Sequence, residues 1–197
     1  MCTHVDKVGV FIDGANLAAS ARSLGFDVDF QKLRKYLSNF GRIIRAYYFT
    51  GVHDSGDYDP NHGLHTWLAY NGYTMITKPT KTFTNADGKT VVKGNMDVEL
   101  TVHMMEVADK LDHIILFSGD GDFRLLVEAV QRRGAKVTVV STLKTARPYV
   151  ADELRRQADA YIDLGDEEIR TALMRTSRHL LQDQADAEQD TKETNPV

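Results

Sequence analysis

Cysteine is almost missing: Cys2 is the only one in 197 residues. No disulfide can form within the chain, which fits a reducing, cytoplasmic setting. Long hydrophobic runs are also absent near the start. The first apolar stretch, Val8 to Ile12, stops at Asp13. It is too short for a signal-peptide core or a membrane span, so no membrane partner is expected. Nothing in the composition points to collagen, general disorder or a disulfide scaffold. What is present is 42% hydrophobic residues, enough to build the core of one ordinary domain with a little chain to spare.

An excess of positive charge is missing too. The net charge is -4, which argues against nucleic acid until its distribution is considered. Residues 182–197 hold Asp183, Asp186, Glu188, Asp190 and Glu193 against Lys192 alone. The chain has 28 acids and 24 bases; without those five acids and that one base the two sides balance. A neutral body can still carry a basic face. The acidic end reads as a solvated, disordered tail.

The body alternates strand and helix patterns. Val8 to Asp13 is a buried strand running into an Asp-Gly turn. Helices are expected over 16–24 and 30–40, each stopped by a glycine. Residues 43–52 (IIRAYYFTGV) are β-branched and aromatic, hence a strand. A helix over 62–71 and a strand over 73–77 follow. Residues 80–94 have no clean period and contain an Asn-Ala-Asp-Gly-Lys turn. Asp97, Leu100, Met104, Val107 and Leu111 then fall on one side of a helix. HIILFS (113–118) and KVTVVS (136–141) are buried strands separated by a helix bearing Phe123, Leu126, Val127 and Val130. A helix over 149–160, an edge strand over 161–164 and an outlying helix over 167–181 complete the chain. Apolar strands joined by helices predict an α/β fold with a mostly parallel central sheet covered on both faces.

In such sheets, sites form beyond the carboxyl ends of the strands. Asp13 ends the first strand, and Ser118, Gly119, Asp120, Gly121 and Asp122 follow HIILF. Asp97 opens its helix on the core-facing side. Each acid alone is more often a turn residue or a helix cap. Together they would repel one another unless a cation joined them. Hard oxygen donors without cysteine suit Mg²⁺ or Mn²⁺ better than Zn²⁺. Gly14, Gly119 and Gly121 are expected to admit close approach of backbone and ligand. No Walker loop and no GxGxxG pattern is present.

FIDGAN (11–16), KGNMD (93–97) and SGDGDF (118–123) together resemble the NYN domain family, which includes the LabA-like proteins; YVADELRRQADAYIDL resembles that family's last helix and strand. The resemblance covers about residues 6–165. It implies a PIN-like three-layer α/β/α fold, similar to metal-dependent ribonucleases of the PIN and FLAP groups. It implies that Asp13, Asp97, Asp120 and Asp122 are both catalytic and ligands of Mg²⁺ or Mn²⁺, with Asn16 and Ser118 shaping the pocket. The family often carries a further Asp where this chain has His103, which implies a weaker second metal or an ordinary half-buried histidine. The domain reading is 1–165 for the NYN domain, 166–181 for a helical extension and 182–197 for the tail.

Lys78, Lys81, Lys89 and Lys93 surround the irregular stretch before Asp97 and are opposed there only by Asp87. Lysines position phosphates and Phe83 could stack on a base, so Lys81, Lys89 and Lys93 are candidates for holding RNA; a solvated surface loop is the plainer alternative. Arg132, Arg133 and Lys136 read as charge complements to a helix C-terminus. Asp57, Asp59 and Asn61 imitate an EF-hand start, but His62 replaces the required glycine. An aspartyl-phosphate mechanism lacks its paired aspartate, because Ala15 follows Asp13 at that spacing. Trp67, Tyr70, Met104 and Met105 could build a homodimer interface, with core packing the simpler reading. The leading expectation is a metal-dependent ribonuclease acting on single-stranded RNA. A non-catalytic regulatory or RNA-binding module and a nucleotide phosphohydrolase are the alternatives.

Overall fold

A computed structural model describes residues 5–53, 61–84, 90–93 and 95–175. Cys2, Lys89 and the tail 182–197 lie outside the described residues. The chain runs β1 (Lys7–Asp13), α1 (Gly14–Ser23), α2 (Phe30–Leu37), β2 (Arg42–His53), α3 (His62–Tyr70), β3 (Thr74–Thr84), β4 (Thr90–Lys93) and α4 (Asp97–Val107). It continues through β5 (His113–Phe117), α5 (Arg124–Gln131), β6 (Lys136–Ser141), α6 (Asp152–Gln157), β7 (Ala160–Asp163) and α7 (Glu167–Leu173). The sheet order is β4-β3-β2-β1-β5-β6-β7. Six strands are parallel and β4 alone is antiparallel. This is the expected α/β class with a mostly parallel sheet.

The sheet buries both faces, and side-chain alternation sorts the residues between them. Phe11, Phe49, Ile114 and Leu116 pack with Leu100, Met104, Phe123, Val127 and Leu154 from α4, α5, α6 and the turn before α5. Val10, Ile12, Tyr48 and Ile115 pack with Leu17, Leu33, Leu68 and Leu173 from α1, α2, α3 and α7. Helices therefore cover the sheet on each side, giving three layers. No helix among the described residues is long and apolar enough to cross a membrane.

Chain direction fixes where a ligand can enter. From β1 the chain steps outward through β2 and β3 to β4, then returns to β5 on the other flank of β1 and steps outward through β6 to β7. The switch point lies between β1 and β5. Beyond their carboxyl ends the connections diverge and leave a crevice.

Several expectations need correction. Residues 80–84 and 90–93 are not irregular: β3 continues to Thr84 and pairs with β4, Lys81 facing Lys93 and Phe83 facing Val91. A two-stranded edge whose backbone groups satisfy each other needs no hydrophobic period to form. The expected helix over 149–160 is only Asp152–Gln157. Residues before it are held instead as a strap, with Tyr149 N bonded to Thr142 O at 2.9 Å and Ala151 N bonded to Gly119 O at 2.8 Å. The helix over 30–40 ends at Leu37 and tightens to a 3-10 turn through Phe40. Trp67 and Tyr70 are not core residues; Tyr70 is 86% exposed, whereas Met104 is fully buried.

The last helix also differs from expectation, because α7 is docked rather than outlying. Leu173 is buried in the second core cluster. Asp29 N donates to Leu173 O, Arg175 N to Asp27 O, and the Lys32 ammonium to Met174 O. Leu173→Ala should therefore destabilise the domain by about 2–5 kcal/mol, the usual range for a large buried aliphatic side chain. Urea unfolding of the two proteins measures this, and a loss below about 1 kcal/mol would show that α7 is dispensable.

Candidate metal centre

Asp13 closes β1 and caps α1, its carboxylate accepting the Asn16 backbone N–H at 3.1 Å. Asn16 thus enters the site through its amide. Ser118, at the end of β5, is fully buried. Its hydroxyl donates to Asp13 Oδ2 at 3.2 Å and accepts the Asp120 backbone N–H at 3.2 Å. That one hydroxyl ties the ends of β1 and β5 across the switch-point crevice. Asp120 then caps a 3-10 turn by accepting the Asp122 N–H at 3.0 Å, which turns both carboxylates back toward the crevice mouth.

Asp97 arrives from the other direction, at the first turn of α4. Asn95 holds it twice: Asn95 Nδ2 donates to Asp97 Oδ2 at 2.6 Å, and Asp97 N donates to Asn95 Oδ1 at 2.8 Å. Asp97, Asp120 and Asp122 each present a carboxylate oxygen, and the three oxygens lie within 4.8 Å of one another. Asp13 stands behind this triangle. It joins it through Ser118 and through its charge on Asp97.

The electrostatics follow from burial. Desolvation raises the pKa of Asp13, opposed by hydrogen bonds from Asn16 and Ser118, and the Asp97 charge raises it further. Desolvation also raises that of Asp97, opposed by Asn95 and reinforced by Asp120, Asp122 and Glu99. Burial, with the Asp13 charge beside it, pushes the Tyr48 phenol up to about 12. Among the described residues no Lys or Arg makes an ion pair with any of the four aspartates. Hard oxygen donors, close spacing and no balancing cation fit a divalent ion. Ions held at 2.0–2.1 Å need oxygens at most about 4 Å apart, which small side-chain rotations supply. Asp97, Asp120 and Asp122 are the residues that would hold it.

The glycines serve a different purpose from the one expected of them. A Cβ on Gly14 would stand 2.7 Å from the Tyr48 ring, one on Gly119 only 1.8 Å from the Tyr149 carbonyl oxygen, and one on Gly121 2.7 Å from Glu153 Oε1. They admit protein, not ligand: the Tyr149–Ala151 strap is drawn down onto the SGDGD loop. The approach also brings the Glu153 carboxylate to the rim, a residue the sequence reading passed over. Asn95 and Tyr48 were missed as well. The signal for Asn95 was legible, since an Asn two residues before a helix-opening Asp is the pattern of an Asx turn.

The lysines separate. The Lys78 ammonium is engaged by Glu99 at 2.7 Å. Lys81 and Lys93 are register partners where β3 pairs with β4, just past the last β2–β3 partners His53 and Thr80. His103 lies between the Tyr47 and Phe49 rings, at 5.9 and 5.8 Å between centroids. Arg133 donates to the Met105 carbonyl near the end of α4, a helix C-terminal contact of the kind expected.

A family model described as the NYN domain matches residues 7–165. Low amplitude and bright protein LabA of Synechococcus elongatus is 33% identical over 182 residues, which cover 90% of this chain and 93% of that protein. An uncharacterized protein of Methanocaldococcus jannaschii is 25% identical over 165 residues, 82% of this chain and 56% of its own length, so the chain spans little more than half of that relative. The crystal structure of a protein of unknown function from Vibrio parahaemolyticus superposes with a TM-score of 0.71 at 24% identity, covering 89% of this chain and 99% of that one. It shares the fold.

The raised pKa of Asp97 has a consequence for stability. A carboxyl group with a higher pKa in the folded state than in the unfolded state costs stability as pH rises through that interval, because the folded form must then give up its proton. In chelator, Asp97→Asn should raise the melting temperature at pH 7. The advantage should shrink on acidification and vanish where the wild-type carboxyl is protonated in both states. Melting curves at pH 7, 5.5 and 4 test this; an advantage independent of pH would mean that Asp97 bears no ionisation cost.

Proposed function

The chain belongs to the NYN domain family, within a nuclease-like superfamily, and on that premise we propose that it is a ribonuclease that hydrolyses phosphodiester bonds of single-stranded RNA with Mg²⁺ or Mn²⁺. The observation that carries this reading is the triangle of Asp97, Asp120 and Asp122, with oxygens within 4.8 Å at the switch point of a parallel sheet. When bound there, a divalent ion supplies Lewis acidity, lowering the pKa of water and offsetting charge on a phosphodiester. The chain's own groups do the positioning. Ser118 fixes Asp13 relative to the Asp120 backbone, and Asn95 fixes the rotamer of Asp97. Asp13, partly desolvated, is placed to orient or accept a proton from an attacking water. Exposed Asp122 forms the open side through which a strand would enter.

RNA is favoured over a small phosphoester by the lysines of the β3–β4 edge: Lys81 and Lys93 are register partners there, and lysines position phosphates. Lys89 belongs to the same stretch of sequence. The environment of His103, ringed by Tyr47 and Phe49, supports one strongly held ion rather than two.

Asp120→Asn tests the centre in two ways. An ion that binds only the folded form stabilises it by about 2.7 kcal/mol at a hundred times its dissociation constant. Wild type should therefore melt several degrees higher in millimolar Mn²⁺ than in chelator, and the variant should gain far less. Cleavage of a labelled single-stranded RNA in Mn²⁺ should fall at least a hundredfold in the variant. A metal shift without any cleavage in wild type would favour an RNA-binding or regulatory module. Equal shifts in both proteins would remove the centre altogether.

A further inference from the structure

The opposite edge of the sheet carries a second feature that the acidic crevice does not use. Residues 30–53 contain Lys32, Arg34, Lys35, Arg42 and Arg45 and no Asp or Glu, in a chain whose net charge is -4. Between the end of α2 and the start of β2 this segment folds around an open groove of about 510 Å³ lined by Gln31, Arg34, Lys35, Ser38, Arg42 and Ile43. Lys35 and Arg42 are exposed, and neither makes an ion pair among the described residues. Arg34 donates one N–H to the Gly72 carbonyl at 2.7 Å, which holds its guanidinium in place with donors left over. Asp6, Asp29 and Glu168 lie on neighbouring segments, but no acid lines the groove.

Three cations converging on an open groove without an aromatic wall suit phosphates rather than bases. A phosphate there would relieve the mutual repulsion of cations gathered on one groove. We propose that this groove is a second binding site for the nucleic-acid strand, gripping its phosphodiester backbone at the amino edge of the sheet while the acids act at the carboxyl edge. The inference rests on the reading of the chain as an RNA-binding nuclease. The separation is set by the sheet: β2 pairs Arg42 with Lys7 and Phe49 with Asp13. Seven residues of strand at about 3.3 Å each put the two sites on the order of 20 Å apart. At about 3.4 Å per stacked nucleotide, roughly seven nucleotides are needed to touch both. The groove therefore selects for length, not sequence.

The test is a Lys35→Glu/Arg42→Glu double variant, with Lys35→Gln/Arg42→Gln in reserve should the first not fold. Binding is read by fluorescence anisotropy with a labelled 20-mer and a labelled 4-mer of single-stranded RNA over a range of salt, and by calorimetry with ATP and inorganic phosphate. The 20-mer should bind at least tenfold more weakly to the variant. Its log–log salt slope should be shallower by about 1.4, at about 0.7 per lost phosphate contact. The 4-mer, too short to touch both sites at once, should lose far less affinity than the 20-mer, and the Mn²⁺-induced melting shift should not change. If wild type and variant bind the 20-mer alike, the groove does not hold the strand and the proposal falls while the metal centre stands. If ATP or phosphate binding is lost in the variant and 20-mer binding is not, the site serves a small phosphate ligand and the proposal falls equally. If wild type binds neither RNA, the RNA reading itself fails, a result distinct from loss at the groove alone.

Discussion

Negative charge meets burial in this domain at the carboxylate of Asp13, where desolvation raises its pKa. Asp13 ends a strand flanked by strands on both sides and covered by helices on both faces, and no basic side chain among the described residues balances it. A carboxylate in that position must be satisfied by hydrogen bonds or by an ion. The surrounding structure is arranged around this need. The first turn of α1 gives Asp13 an amide, Ser118 gives it a hydroxyl, and the same hydroxyl accepts the amide of Asp120. Without β5 beside β1 there would be no Ser118 at that point. Without the α1 turn the strand would end in an unsatisfied charge. The hydrogen bonds offset part of the desolvation but not all of it, since the pKa of Asp13 is still raised from its ordinary value.

The loop that carries Asp120 and Asp122 is shaped by what presses on it from behind. Gly119 lies so close to the Tyr149 carbonyl that any side chain would collide with backbone, and Ala151 N bonds back to the Gly119 carbonyl. The strap is anchored at its far end by the Tyr149 and Ser23 hydroxyls, 2.8 Å apart. It is anchored near its start by Asp163, which accepts from Thr142 and Leu143. The acidic loop therefore cannot relax away from the crevice to lessen its own repulsion. A rigid backing of this kind lets a close set of carboxylates persist without a counter-ion, and it keeps them ready for one.

Much of this was legible in the sequence, and the parts that were not share a cause. The central strands were read correctly because burial on both faces leaves continuous apolar runs such as HIILF and KVTVV, which few other structures produce. The grouping of Asp13 with the SGDGDF acids followed from parallel strands alone. Residues 80–94 were misread because an edge hairpin is held by backbone pairing, which leaves little periodicity in its side chains. Residues 149–151 were assigned to the helix over 149–160 for a related reason: they are held by backbone bonds to Thr142 and Gly119 outside that segment, which leave no local pattern. α7 was placed outside the fold because it meets the core through one turn only, with Leu173 buried and Ile169 partly buried, too short a stripe to mark a docked helix. Asn95, Tyr48 and Glu153 escaped because each acts on a site residue through space.

The same topology that gathers acids at one edge leaves a mixture of charges at the other, where Asp6, Asp112 and Asp159 precede β1, β5 and β7. In a parallel sheet every strand begins at one edge and ends at the opposite one, so residues at strand starts and strand ends are sorted onto separate faces of the domain. Here β1, β2 and β6 start with Lys7, Arg42 and Lys136, while β1 ends in Asp13 and β5 leads into Asp120 and Asp122. Asp6 and Asp112 temper the basic edge without lining its groove. Each cluster of like charges acts locally, within a Debye length of about 8 Å at physiological ionic strength. The two edges are farther apart than that, so under the proposed reading an anionic strand would meet the cations of one edge apart from the carboxylates of the other, and capture and chemistry would fall to different charges.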